Sequence, residues 1–238
     1  MPVQDTTHKD HRQRLKQRFR EEGLDNFHPR HVLELLLFFC LPRIDTAPLA
    51  QALIDHFGSL DLVLEATAEE LEKVPGVGPN VSTLLTLIPQ LSRYCHVKQN
   101  DKKQPAILNT TDLYGNFLVP RFDNRRNETV FLLCLDAKCK LLCCKEVGEG
   151  SVNSASIPIR RVVEMALGCN ASMVVLAHNH PSGLALPSGE DIQTTRRMAM
   201  ALDAVEITLA DHIVVADGDF VSMVQSGYYR PGEYRVLV

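Results

Sequence analysis

The apolar residues of this chain change their period once, and that change sets the architecture. From residue 11 to about 95 they recur at helical spacing. "HPRHVLELLLFFCL" has continuous apolar faces, "TAPLAQALIDHF" has helical spacing and "SLDLVLEA" is short. "TAEELEKV" opens on a Thr N-cap with acids in its first turn, and "VSTLLTLIPQLSRYC" closes the series. The next stretch, "VKQNDKKQPA" (97–106), is polar and charged and contains a proline, as a linker does. After it the runs shorten: "NETVFLLCLD" (127–136), "KLLCCKEV" (140–147), "ASMVVLAH" (171–178), "ITLADHIVVAD" (207–217) and "DFVSMV" (219–224) read as strands. "ADGDF" is a hairpin turn between the last two, while "IPIRRVVEMALGC" and "GEDIQTTRRMAMALDAV" read as helices. The expectation is an all-helical domain over 1–97, a linker over 98–106 and a mixed-sheet α/β domain over 107–238.

Composition narrows the function classes. A 45% hydrophobic content is ample for two cores. The longest apolar runs, "LELLLFFCL" (33–41) and "TVFLLCL" (129–135), are too short to span a bilayer, and the polar start "MPVQDTTHKDHRQ" lacks the form of a signal peptide. A soluble cytoplasmic protein with no membrane partner is expected. Seven cysteines, an odd number without a secretory signal, read as free or buried thiols. Cys143-Cys144 lacks the spacing of a cysteine zinc site.

A net charge of −4 means that nucleic-acid binding must come from a local patch. Residues 9–20, "KDHRQRLKQRFR", hold six Lys or Arg against one acid, with Leu15 and Phe19 as an apolar seam. This is a basic amphipathic helix or simply a solvated face. "EELEKVPGVGPNVSTLL" sets Gly76, Val77 and Gly78 between two helices, with Pro79 suited to the first turn of the second. Two glycines let a backbone approach a phosphate, and the amides opening the next helix point at it. The stretch resembles the helix-hairpin-helix motif, which implies sequence-independent contact with the DNA backbone; otherwise it is a tight αα turn. "LLFFCLPRIDTAPLAQAL" looks like a degenerate copy without the glycines.

The chemistry concentrates in "LAHNHPSGLALPSGEDI" (176–192). Residues i and i+2 of a strand point to one side, so His178 and His180 can present both imidazoles to one ion while Asn179 faces away. Pro181 ends the strand, Ser188 begins the next helix and Asp191 lies three residues in. Two His and a carboxylate leave a fourth tetrahedral position open, as in a catalytic zinc site that activates water. Ser188 and Asp191 also read as a capping box, which needs no metal and is compatible with the ligand role.

"HNHPSGLALPSGED" resembles the HxHPx6SxxD signature of JAMM metalloproteases of the JAB/MPN (cytidine deaminase-like) fold, in the wording of the RadC family. The likeness extends to the helix-hairpin-helix region, "LDA" after the first strand, "GSVNSAS" (150–156) and "DHIVV". It implies Zn2+ held by His178, His180 and Asp191, with Ser188 steadying the polarised intermediate. It also implies a glutamate that takes a proton from the attacking water and hands it to the leaving amine, at the opening of the first core strand, here Glu128. Glu146 and Glu149 lie past the next strand, and Glu190 points about 100° away from Asp191 around the helix. His212 in "ADHIVV" matches a family histidine and reads either as support for the ligands or as a satisfied strand histidine near the sheet edge. Where the family commonly has Pro-Arg-Glu, this chain has Ile159-Arg160-Arg161, which puts a base where the helix dipole disfavours it.

Two functions remain in view. One is a zinc hydrolase acting on an amide or isopeptide bond of a peptide or protein. The other is a non-catalytic DNA-associated accessory protein in repair or recombination. A single ion with one carboxylate lacks the two-metal clamp usual for phosphodiesters, which disfavours a nuclease.

Overall fold

The computed structural model describes residues 4–103, 107–150 and 158–233; of "GSVNSAS", all but Gly150 lies outside them. Two compact units divide between Ser92 and Arg93.

The first unit contains α1 (Gln4–Glu22), α2 (Pro29–Cys40), α3 (Ala47–Phe57), α4 (Leu60–Glu65), α5 (Ala68–Leu71) and the start of α6 (Pro79–Lys103). Helix α2 reads as continuously apolar because it serves two clusters. Leu33 and Leu37, one turn apart, enter the main core with Leu53, Leu71, Val77 and Leu85, while Leu35 and Phe38 pack with Leu15 of α1. Each of these leucines contributes about 1.5–3 kcal/mol by leaving water. Ser59 caps α4 through the Leu62 amide, and Thr67 and Glu70 form a capping box on α5. Of the seam expected on α1, only Leu15 is buried; Phe19 remains 42% exposed.

The cations of α1 are partly committed within the unit. The Arg12 guanidinium donates to the carbonyls of Leu41 (2.6 Å), Pro42 (2.9 Å) and Ile44, satisfying the end of α2 and its exit. Arg18 donates to Glu22 and to the Asn26 carbonyl, and lies over the Phe27 ring.

The expected linker is partly helix: α6 continues past Pro89 to Lys103. Lys and Gln are good helix formers, and the polar side chains here have partners. His96 Nδ1 lies 2.5 Å from Asp123, Asn100 donates to the Asn116 carbonyl and Arg121 pairs with Asp101.

The second unit is built on a sheet of order β2-β1-β3-β4-β5. Its strands are β1 (Glu128–Leu135), β2 (Leu141–Gly150), β3 (Met173–Asn179), β4 (Thr208–Ala216) and β5 (Asp219–Ser222). Only β3 and β4 are parallel, joined through α9 (Gly189–Asp203). On one face α8 (Ile159–Gly168) and α9 share a core with Val130, Leu132, Val174, Leu176 and Val214. On the other, α7 (Thr111–Leu118) brings Tyr114, Phe117 and Leu118 against Phe131, Leu133, Val175 and Ile213. Cover on both faces explains why β1 and β3 read as unbroken apolar runs. Helix α7 had no clear sequence signal. Its Gly115 sits so close to the Phe220 ring that a Cβ would meet it at 2.2 Å. The β4–β5 turn uses Asp217 and Gly218, both at positive φ, as the Asp-Gly pair predicts.

Candidate metal centre

Strand β3 delivers His178 at its buried end, 4% exposed, and His180 just beyond it. Helix α9 delivers Asp191 from its first turn, where the predicted capping box is formed. The Ser188 amide and hydroxyl donate to Asp191 Oδ2 at 2.7 and 2.6 Å, and the Asp191 amide donates back to Ser188 Oγ at 3.1 Å. The cap therefore holds the carboxylate on the imidazoles: Oδ1 is 3.2 Å from His178 Nε2 and Oδ2 is 3.4 Å from His180 Nε2. The two Nε2 atoms are 2.9 Å apart. Ser188 spends its own proton on Asp191.

A hydrogen-bond chain lies behind the imidazoles. Thr195, one turn after Asp191, has a single hydroxyl proton, with the Asp191 carbonyl at 2.6 Å and Met223 Sδ at 3.3 Å as its acceptors. His212 Nδ1, also 2.6 Å from that hydroxyl, is then the donor, and its Nε2 accepts from His178 Nδ1 at 2.8 Å. His180 Nδ1 donates to the Leu184 carbonyl at 3.0 Å. Both back nitrogens thus carry protons, and both Nε2 lone pairs face Asp191. Three electron-pair donors converge on one point, an arrangement that calls for a cation. The nitrogen and oxygen ligand atoms of His178, His180 and Asp191 lie within 4.8 Å of one another.

Burial pushes His212 well below the usual imidazole range, so it stays a neutral relay. Where no cation is bound, a proton on His180 Nε2 takes its place: donated to Asp191, it raises His180 against its burial, with a contribution from Glu128. Burial raises Asp191, but such Nε2–H donation from His178 and His180 outweighs it and holds the carboxyl well below its ordinary range, so the site favours positive charge at this point.

Glu128 is brought to the same side. Val130 of β1 lies opposite His178, Glu128 stands two residues earlier on the same face of β1, and its charge acts on His180. Glu146 and Glu149 are occupied at Arg125, 2.7 and 3.8 Å away, and Glu190 is exposed. His212 is fully buried on β4, with β5 outside it, so it is no edge histidine.

Two contributors escaped the sequence reading. Thr195 could have been found as the i+4 neighbour of Asp191. Asn179 does face away from the histidine pair, yet it is buried and employed: its Oδ1 accepts from the Thr129 amide at 2.8 Å, and its Nδ2 donates to the carbonyls of Asn127 and Arg125. It thereby ties the end of β3 to the segment that presents Glu128.

A family profile described as RadC-like JAB domain matches residues 108–228. The chain belongs to the RadC family. Among its relatives, a UPF0758 protein of Ruegeria pomeroyi is 34% identical over 220 residues, covering 92% of this chain and 97% of its own. A UPF0758 protein of Fusobacterium nucleatum is 30% identical over 222 residues, covering 91% and 96%. One of Paraburkholderia xenovorans is 30% identical over 213 residues, covering 90% and 83%. The helical unit followed by a five-stranded mixed sheet with helices agrees with RadC membership and the JAB/MPN fold. At the departure from the RadC wording, Arg160 pairs with Glu164 one turn later at 2.8 Å, on the surface. Among the described residues, no helix is long and apolar enough to cross a membrane.

In the helical unit Gly76, Val77 and Gly78 join α5 to α6 as a hairpin. Val77 is 8% exposed and packs into the core, while Pro75 and Gly76 face solvent. Gly76 has φ +94° and a Cβ there would touch Leu49, so this glycine is required by the turn itself. Gly78 has open space around it.

Proposed function

We propose that the protein is a zinc-dependent hydrolase of amide or isopeptide bonds whose helical unit contacts the DNA backbone. The convergence of two unprotonated Nε2 atoms and the Asp191 carboxylate on one point carries this reading. Two imidazoles and a carboxylate suit zinc. Held there, zinc supplies a Lewis acid that polarises a carbonyl and makes water a nucleophile at neutral pH. His178 and His180 offer Nε2 because His212 and the Leu184 carbonyl occupy their Nδ1 protons. Asp191 supplies the negative charge, and its cap keeps the carboxylate from turning away. Glu128 receives the proton of the attacking water and returns it to the leaving nitrogen. Ser188, at the rim, turns its hydroxyl from Asp191 to the developing oxyanion when the carboxylate is engaged by the ion.

The test is zinc content by elemental analysis of protein purified without chelator. The wild type is expected to hold about one zinc per chain and His178→Ala none. Equal zinc in both would remove this ligand set. Thr195→Val, which keeps the shape but ends the hydrogen-bond relay, is expected to weaken zinc by about 10–100-fold in competition with a chelating dye. An unchanged affinity would make the relay irrelevant to the ion.

The DNA reading rests on the hairpin, since Arg12 and Arg18 of α1 are engaged within their own unit. Gly78→Val tests it cleanly, because the added side chain meets open space whereas Gly76→Val also strains the turn. The variant is expected to bind duplex DNA more weakly at unchanged zinc content, and wild-type binding to fall steeply with added salt. Equal affinities would leave the hairpin a connection between helices.

A further inference from the structure

Three cysteines distant in sequence meet on the face of the sheet that α8 and α9 cover, at the opposite end of β1 and β3 from His178. Cys134 of β1 lies opposite Cys143 of β2, and Cys169 follows the last turn of α8; their sulfurs all lie within 4.8 Å of one another. Cys134 is 1% exposed, while Cys143 and Cys169 are half-buried. Cys143 Sγ and Cys169 Sγ are 2.7 Å apart.

Shared ion or covalent bond is decided by distance and ligand number. Sulfurs around a tetrahedral zinc, each about 2.3 Å from it, stand about 3.8 Å apart, and structural zinc sites are closed by four ligands. A disulfide needs about 2.05 Å. The observed pair lies nearer the bond, and the cluster supplies three ligands among the described residues.

We infer that Cys143 and Cys169 form a reversible disulfide, with a low-molecular-weight disulfide as oxidant and Cys134 left as a thiol. The roles follow from the surroundings. Burial works to raise Cys169, but the hydrogen bond from Cys143 and the nearby Lys145 ammonium bring its thiol below the ordinary value. Cys143 is raised, first by burial, and Cys134 is raised further by deeper burial. Cys169 is therefore the attacking thiolate. Its sulfur bonds to one sulfur of the small disulfide and expels the other half as a thiolate. Cys143 then loses its proton to solvent and its sulfur attacks that of Cys169, expelling the second half. The two cysteines together lose two electrons, and the small disulfide becomes two thiols. The new bond ties β2 to the end of α8, the helix that leads into β3.

The experiment is incubation of the full chain with excess oxidised glutathione, followed by free-thiol counting and mass-spectrometric peptide mapping. The expected result is a Cys143–Cys169 linkage that removes two thiols per chain, reverses with dithiothreitol and persists in Cys134→Ser. In Cys143→Ser the linkage is replaced by a glutathione adduct on Cys169. A linkage through Cys134, or a stable adduct on Cys169 of the wild type with Cys143 free, would overturn the inference. So would a zinc ion that survives His178→Ala but is lost from Cys169→Ser.

Discussion

Glu128→Gln is expected to keep one zinc per chain and to lower hydrolysis by about 10²–10⁴-fold on any amide reporter the wild type cleaves. Glutamine preserves the size of the side chain and its place at the start of β1, and removes only the ability to take a proton. Loss of turnover with zinc retained separates proton transfer from metal binding, which His178→Ala cannot do. A variant that turned over at the wild-type rate would take Glu128 out of the mechanism and return attention to the other acids. Those are less suited, because Glu146 and Glu149 are held by Arg125.

Asn179→Ala is expected to act on stability and turnover together. Truncation leaves the buried Thr129 amide without its acceptor and removes two donations to the chain preceding β1. One unsatisfied buried amide costs about 1–3 kcal/mol, read as a lowered midpoint in urea unfolding. Because the same bonds hold the opening of β1, turnover should also fall, at unchanged zinc content, by more than tenfold, since small misplacements of a proton-transfer group cost rate heavily. Asn179→Asp keeps the acceptor for Thr129 but turns both donations into repulsions, and should recover only part of the stability. Full activity in Asn179→Ala would show that Glu128 is held by the strand alone.

Legibility differed from element to element for identifiable reasons. Strands β1 and β3 stood out because cover on both faces makes every position apolar, and the β4–β5 hairpin because Asp-Gly is a chemical requirement of its turn. The capping box of α9 was legible because Ser188 and Asp191 interact within one turn. Residues 98–103 read as a linker because they are polar; they are helical because their polar side chains have partners far along the chain, which no local pattern records. Phe19 read as part of an apolar seam from its spacing with Leu15, yet a residue is buried only where a neighbour covers it, and α2 covers Leu15. Helix α7 carries Gly115 at its centre, a weak helix former explained only by the Phe220 ring beneath it.

By itself the sequence determined what is local: the change from helical to strand period, the pairing of His178 with His180 on one side of a strand, and the cap that presents Asp191. Each follows from backbone geometry over a few residues. Tertiary structure alone decided the hydrogen-bond chain behind the imidazoles, because His212 and Thr195 reach His178 only through the β3–β4 register and the crossover helix. It also decided the place of Glu128, through Asn179 and the β1–β3 register, and the meeting of Cys134, Cys143 and Cys169. Those relations cross strands and layers, where spacing along the chain carries no distance information.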